Sequence, residues 1–98
     1  MENVYTIQKE DLSSLDFCQD DVLESENEER KSKRIKDLKK ATTLGNGYRR
    51  KVKLIFKKSD GLVNQVETTI WAVGNSFVTL KAGTTIPINS IYKVDFEA

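Results

Sequence analysis

Apolar and polar positions begin to alternate at Val52 and keep that rhythm almost to the end of the chain. Val52, Leu54 and Phe56 interleave with Lys51, Lys53, Ile55 and Lys57, which predicts a strand with one apolar and one basic face. Ser59-Asp60-Gly61 supplies a turn. Residues 63–73, VNQVETTIWAV, are rich in β-branched and aromatic types and predict a long, bent strand. Its two sides carry Val66, Thr68, Ile70 and Ala72 against Glu67, Thr69, Trp71 and Val73. Turns at Gly74-Asn75-Ser76 and Ala82-Gly83 set off FVTLK and TTIPI, and Asn89-Ser90-Ile91 makes a brief twist before YKVDF. Five strands are therefore expected in residues 46–98, burying Val52, Leu54, Phe56, Val66, Ile70, Val78, Leu80, Ile86, Ile88, Ile91, Val94 and Phe96.

Ahead of these strands the period is helical. Ser25 and Glu28 have the spacing of a capping box, and Glu26, Glu28 and Glu29 would face the positive end of the helix dipole. Glu26 to Arg30 and Glu29 to Lys33 are acid-before-base pairs at i,i+4. Apolar residues enter late, at Ile35, Leu38, Ala41 and Leu44, so the second half of the helix should pack and the first half should project. A charged helix is expected over residues 25–45, ending at Gly45, with Asn46-Gly47 as a turn. Residues 1–24 show no sustained period and read as an acidic-hydrophobic arm, disordered or weakly ordered when free. Leu12, Leu15 and Phe17 are its candidate docking residues for a protein partner. Folding back onto the chain's own basic stretch is the other course open to the arm.

Charge sharpens this division. Residues 1–29 carry a net −9, residues 30–58 a net +12 and residues 59–98 a net −2, which sum to only +1. Such sorting suggests a surface made for an anionic partner. With 98 residues the chain is at most one domain with an appendage, too small for a large active-site cleft. The lone Cys18 cannot form an internal disulfide, the N-terminal residues are acidic and polar, and no apolar run approaches the roughly 20 residues that span a bilayer. A soluble, cytoplasmic protein without membrane contact is expected.

Little catalytic chemistry is available. The chain has no histidine, which removes the commonest general base and the commonest transition-metal ligand. Cys18 stands among acids and has no histidine to activate it as a nucleophile. Asp20, Asp21 and Glu24 lack the EF-hand pattern, and the glycines at positions 45 and 47 lack the lysine of a phosphate loop. No catalytic residue, metal site, cofactor or small-molecule substrate is assigned. The residues that remain are Lys39, Lys40, Tyr48, Arg49, Arg50, Lys51, Lys53, Lys57, Lys58 and Trp71. A basic ladder with Trp71 beside it would suit single-stranded nucleic acid, whose phosphates meet cations while bases stack on a ring.

Short strands, a long bent second strand and a twist before the last follow the order of SH3-like and Sm-like barrels. The expected fold is mainly β: a five-stranded antiparallel small barrel of this type, preceded by the charged helix and the acidic arm. An open antiparallel sheet with the helix across one face is the alternative packing. The runs TTIWAV, FVTLKAGTTIPI and NSIYKVDF resemble small bacterial proteins that pair a helix with such a barrel. More distantly, Ile86 to Ile91 is similar to the hydrophobic-Pro-hydrophobic-polar-Ser-Ile stretch of the Rho-inhibitor family. That resemblance implies an accessory of transcription or RNA metabolism that works by binding without a cofactor. The glycine and Asp/Asn pattern of the Sm family is not present, and no residue role is carried over.

Two functions follow as expectations. In one, the chain binds RNA or single-stranded nucleic acid through the basic patch and the acidic arm tunes that binding. In the other, it is a protein-interaction adaptor that docks through barrel, helix and arm.

Overall fold

The computed structural model describes residues 4–24, 26–81 and 83–96. Its elements in chain order are β1 (Tyr5–Ile7), a 3-10 turn (Lys9–Ser14), α1 (Glu28–Tyr48), β2 (Val52–Lys57), β3 (Val63–Thr68), β4 (Ile70–Val73), β5 (Phe77–Leu80), β6 (Thr85–Pro87), a second 3-10 turn (Ile88–Ser90) and β7 (Ile91–Asp95). The fold is mainly β with one long helix. Strands β1-β3-β2-β7 form one sheet and β4-β5-β6 a second, and the two do not close into a continuous barrel.

The expected long strand is β3 and β4 together. Thr68, Thr69 and Ile70 are buried in succession, so the in-out alternation fails there and the chain passes from one sheet to the other. β3 pairs antiparallel with β2, with Leu54 opposite Val66, and β4 pairs with β5, with Val73 opposite Val78. Pro87 ends β6 on the free edge of its sheet, where a missing N–H costs no ladder bond. The inner faces form one core from Val52, Leu54, Phe56, Val66, Ile70, Val78, Leu80, Ile86, Ile88, Ile91 and Val94, and Phe96 packs against it partly buried.

Three expectations are corrected. The helix begins at Glu28 with Asn27 before it and continues through Asn46-Gly47 to Tyr48, so that dipeptide is helical and not a turn. Ser25, and with it the capping box, lies outside the described residues. Glu26 precedes the helix, and Lys33 takes Asp37 one turn on, at 2.6 Å.

The buried stripe of α1 is Arg34, Leu38, Ala41 and Gly45. This is one residue's rotation from the Ile35-Leu38-Ala41-Leu44 face expected from apolarity alone. Gly45 has a steric reason: a Cβ there would lie 2.3 Å from the Ile70 carbonyl oxygen. The helix thus packs backbone to backbone on β4, which no other residue type permits without a shift.

The third correction concerns the arm. β1 pairs in parallel with β3, and Leu12 is only 1% exposed within the core. Phe17 makes a bridge to Lys58, with its ring tilted at 5.4 Å from that of Phe56. Cys18 N–H donates to the Lys57 carbonyl at 3.0 Å and Ser59 N–H to the Asp16 carbonyl at 2.9 Å. The arm therefore folds back, and Leu12, Leu15 and Phe17 pack on the molecule's own core.

Candidate nucleic-acid interface

The expected basic ladder exists as a geometry but not as a positive surface. Val52, Leu54 and Phe56 point inward, so Lys53, Ile55 and Lys57 line the outer face of the first sheet. Cross-strand pairing then sets Lys53 between Glu67 on β3 and Asp95 on β7, and Ile55 between Gln65 and Lys93. A shallow cleft of about 360 Å³ on this face is lined by Lys51 and Lys53 together with Lys9, Glu10 and Glu67. Acid and base alternate there, which suits solubility better than capture of a polyanion. Lys57 and Lys58 stand at the far end of β2, six residues or about 20 Å from Lys51. Lys58 Nζ is 3.4 Å from Asp60.

Trp71 is not beside that ladder. It belongs to β4, in the other sheet, at a bulge between Ile70 and Ala72, and its side chain is 46% exposed. Together with Gly45, Asn46, Arg49, Thr69 and Lys81 it lines a cleft of about 390 Å³. The helix end forms one wall, β4 the other, and the residue after β5 the rim. Asn46 Nδ2 donates to the Trp71 carbonyl at 3.0 Å, and Lys81 N–H to the Thr69 carbonyl at 3.0 Å, so both sides are tied to the strand backbone. No carboxylate is among the lining residues.

Arg49 caps α1 in the left-handed region at φ 54°, the one non-glycine with positive φ among the described residues. Its N–H donates to the Gly45 carbonyl at 3.1 Å. A side chain in this conformation costs about 1 kcal/mol that glycine would not, so an arginine here is a strained residue at a site. Lys39 stands seven residues before Asn46, two helical turns, and therefore on the same flank of α1 about 10 Å along the axis.

The remaining candidates are drawn elsewhere. Lys40 lies on the opposite flank, its Nζ 4.9 Å from the centre of the Phe96 ring. Arg50 donates to the Phe96 carbonyl at 3.1 Å. Tyr48 is exposed in the last helical turn. The structure thus groups Arg49 and Trp71 with Asn46 and Lys81, which no local pattern in the sequence singles out, and Lys39 stands about 10 Å away along the helix. Lys81 stands seven residues after Gly74 and is the sole cation between Lys58 and Lys93, a position that the β4-β5 pairing brings to Trp71.

Among the described residues of the arm, Asp21 makes a strong electrostatic contact, and it is made away from this cleft. Its carboxylate accepts from Arg34 Nη1 at 2.9 Å and Nη2 at 3.0 Å and from the Leu23 N–H at 3.0 Å, with Lys31 Nζ at 3.6 Å. Burial pushes the Asp21 carboxyl up, but the Arg34 and Leu23 hydrogen bonds and the charges of Arg34 and Lys31 outweigh it and hold the group below the ordinary aspartate value. Arg34 and Arg49 are fifteen residues apart on or at the end of α1, about 22 Å. Among the acids of the arm it is Glu10 that reaches the neighbourhood, sharing with Lys81, Leu12, Thr68 and Thr84 an adjoining groove of about 400 Å³.

Among the described residues no group of three His, Cys, Asp or Glu side chains is placed to hold a metal ion, and no helix is long and apolar enough to cross a membrane. No known protein family, curated protein or solved structure matches the chain.

Proposed function

We propose that the chain is a non-enzymatic binding module for single-stranded nucleic acid, RNA in the first instance, and that Trp71 with Arg49, Lys81 and Lys39 forms its site. One observation carries this reading: a half-exposed tryptophan sits in a cleft whose only charged lining residues are cations. A base stacks on the indole while its flanking phosphates meet the guanidinium and the ammonium, an arrangement that tolerates any sequence because every base has a π-face. The strained Arg49 supports it, since a glycine at that cap would be the relaxed choice if the position served stability alone.

The strand order β7-β2-β3/β4-β5-β6, the bend at Thr69 and the 3-10 turn before the last strand favour an opened SH3-like or Sm-like small barrel as the scaffold. The acidic arm tunes binding through Glu10 rather than by occupying the cleft. An accessory role in RNA metabolism in the cytoplasm follows from this reading.

Trp71 is the chain's single tryptophan, so its emission reports on the site without a label. Oligouridylate at low salt is expected to quench that emission saturably, and Arg49→Ala with Lys81→Ala is expected to weaken the titration at least 10-fold. An emission unchanged by saturating oligonucleotide would exclude the site.

A further inference from the structure

The outer face of the second sheet extends the Trp71 site in one direction only. Val78, Leu80 and Ile86 point into the core, so Phe77, Thr79, Thr85 and Pro87 stand on the other side of β5 and β6. Ala72 pairs with Thr79 and lies on that side too, and the bulge at Trp71 brings the indole out beside it. Phe77 is 50% exposed, a large apolar ring that the fold does not bury. Its carbonyl accepts from the Gly74 N–H at 2.9 Å, which places Phe77 opposite Gly74 on the adjacent strand. Trp71 is three residues back from Gly74, so the two residues stand about 10 Å apart along the strand direction, about three stacked base rises.

What lies between and around them selects the occupant. Ala72, Thr79 and Thr85 are small and form a low floor between the rings. Strands β4, β5 and β6 contain no charged residue, and the cations Arg49 and Lys81 stand at the Trp71 end alone. A single strand of nucleic acid fits this face: phosphates anchor at the cationic end and bases lie flat on the uncharged floor.

We propose that Phe77 is a second base-stacking platform, and that single-stranded nucleic acid runs from the Arg49-Lys81 cleft across the β4-β5-β6 face, covering three to four nucleotides between the two rings. This rests on the reading of Trp71 as a stacking residue, and it adds a direction and a length to the site.

The test is a length series of oligouridylates from two to eight nucleotides, read by Trp71 quenching and by anisotropy of labelled strands, on the full chain and its Phe77 variants. In the unmodified chain affinity rises with length until both rings are covered. Phe77→Ala is expected to lower affinity for the longest strand about 10-fold while leaving the dinucleotide within about 2-fold. Phe77→Leu, which keeps apolar bulk and hence the fold, is expected to behave as Phe77→Ala, and Phe77→Tyr as the unmodified chain. Trp71 quenching with all Phe77 variants equal at every length would overturn the second platform and leave the first site standing. No quenching at any length would overturn both.

Discussion

Asp21 and Arg34, thirteen residues apart, meet end to end: both guanidinium Nη atoms donate to the two carboxylate oxygens at 2.9 and 3.0 Å. Arg34 is 5% exposed, also donates to the Ile91 carbonyl at 3.0 Å, and keeps its Nε buried without a partner. One charge pair thus joins the arm to the helix and to β7.

Removing the acid alone strands a buried cation. Asp21→Ala is expected to cost about 2 to 3 kcal/mol in a urea titration, since a buried ion loses its counterpart while part of the Asp21 side chain was already wet. Asp21→Ala with Arg34→Met should recover much of that loss, because an apolar residue of similar length fills the site and retires the unpartnered Nε. A double variant less stable than Asp21→Ala would show that Arg34 stabilises the fold even without its carboxylate partner. Acid titration reads the same contact. Folding lowers the Asp21 pKa, so its contribution is complete above the unfolded aspartate value of about 4 and is lost as pH falls through the folded value below it. Asp21→Asn should flatten that part of the stability profile.

The two glycines near the end of α1 should respond with opposite sign. Gly45→Ala places a methyl group 2.3 Å from the Ile70 oxygen, and the helix must move off β4. A loss of about 1 to 3 kcal/mol is expected, exceeding the helix-propensity gain of under about 1 kcal/mol. Gly47→Ala meets nothing within 4 Å and should stabilise by about 0.5 to 1 kcal/mol. Thermal unfolding of the two variants decides both.

Much of the strand set was legible because its pattern is local. Alternation from Val52 onward marks the inner faces, and the positive-φ glycines Gly61 and Gly83 sit at the expected turns. What could not be read depends on partners distant in the chain. Arg34 faces inward because Asp21 and the Ile91 carbonyl neutralise and bond it, and Gly45 is buried by contact with a strand that begins 25 residues later. Trp71 was expected beside Lys53 on the assumption that the second strand stays in one sheet. The bend at Thr69 carries it to the other sheet, beside Arg49 and Lys81. Leu12 and Leu23 had no periodicity to mark them as buried.

Arg49 lets stability and binding be separated. Arg49→Gly relieves the left-handed backbone and should raise stability by about 0.5 to 1 kcal/mol, while removing a cation from the cleft should weaken oligonucleotide binding several-fold. Chemical denaturation and a binding titration on the same preparation give both signs. An Arg49→Gly chain that binds as tightly as the parent would remove Arg49 from the site.

The most direct measurement compares Trp71→Ala with Lys51→Ala by anisotropy of a labelled single-stranded RNA across a salt series. With Arg49, Lys81 and Lys39 as the phosphate contacts, log affinity of the parent chain should fall by about 2 per decade of salt. Trp71→Ala should lose about 10-fold or more at every salt concentration without changing that slope, and Lys51→Ala should stay within about 2-fold of the parent. Loss of binding in Lys51→Ala with Trp71→Ala unaffected would move the interface to the first sheet and contradict the assignment of the Trp71 cleft.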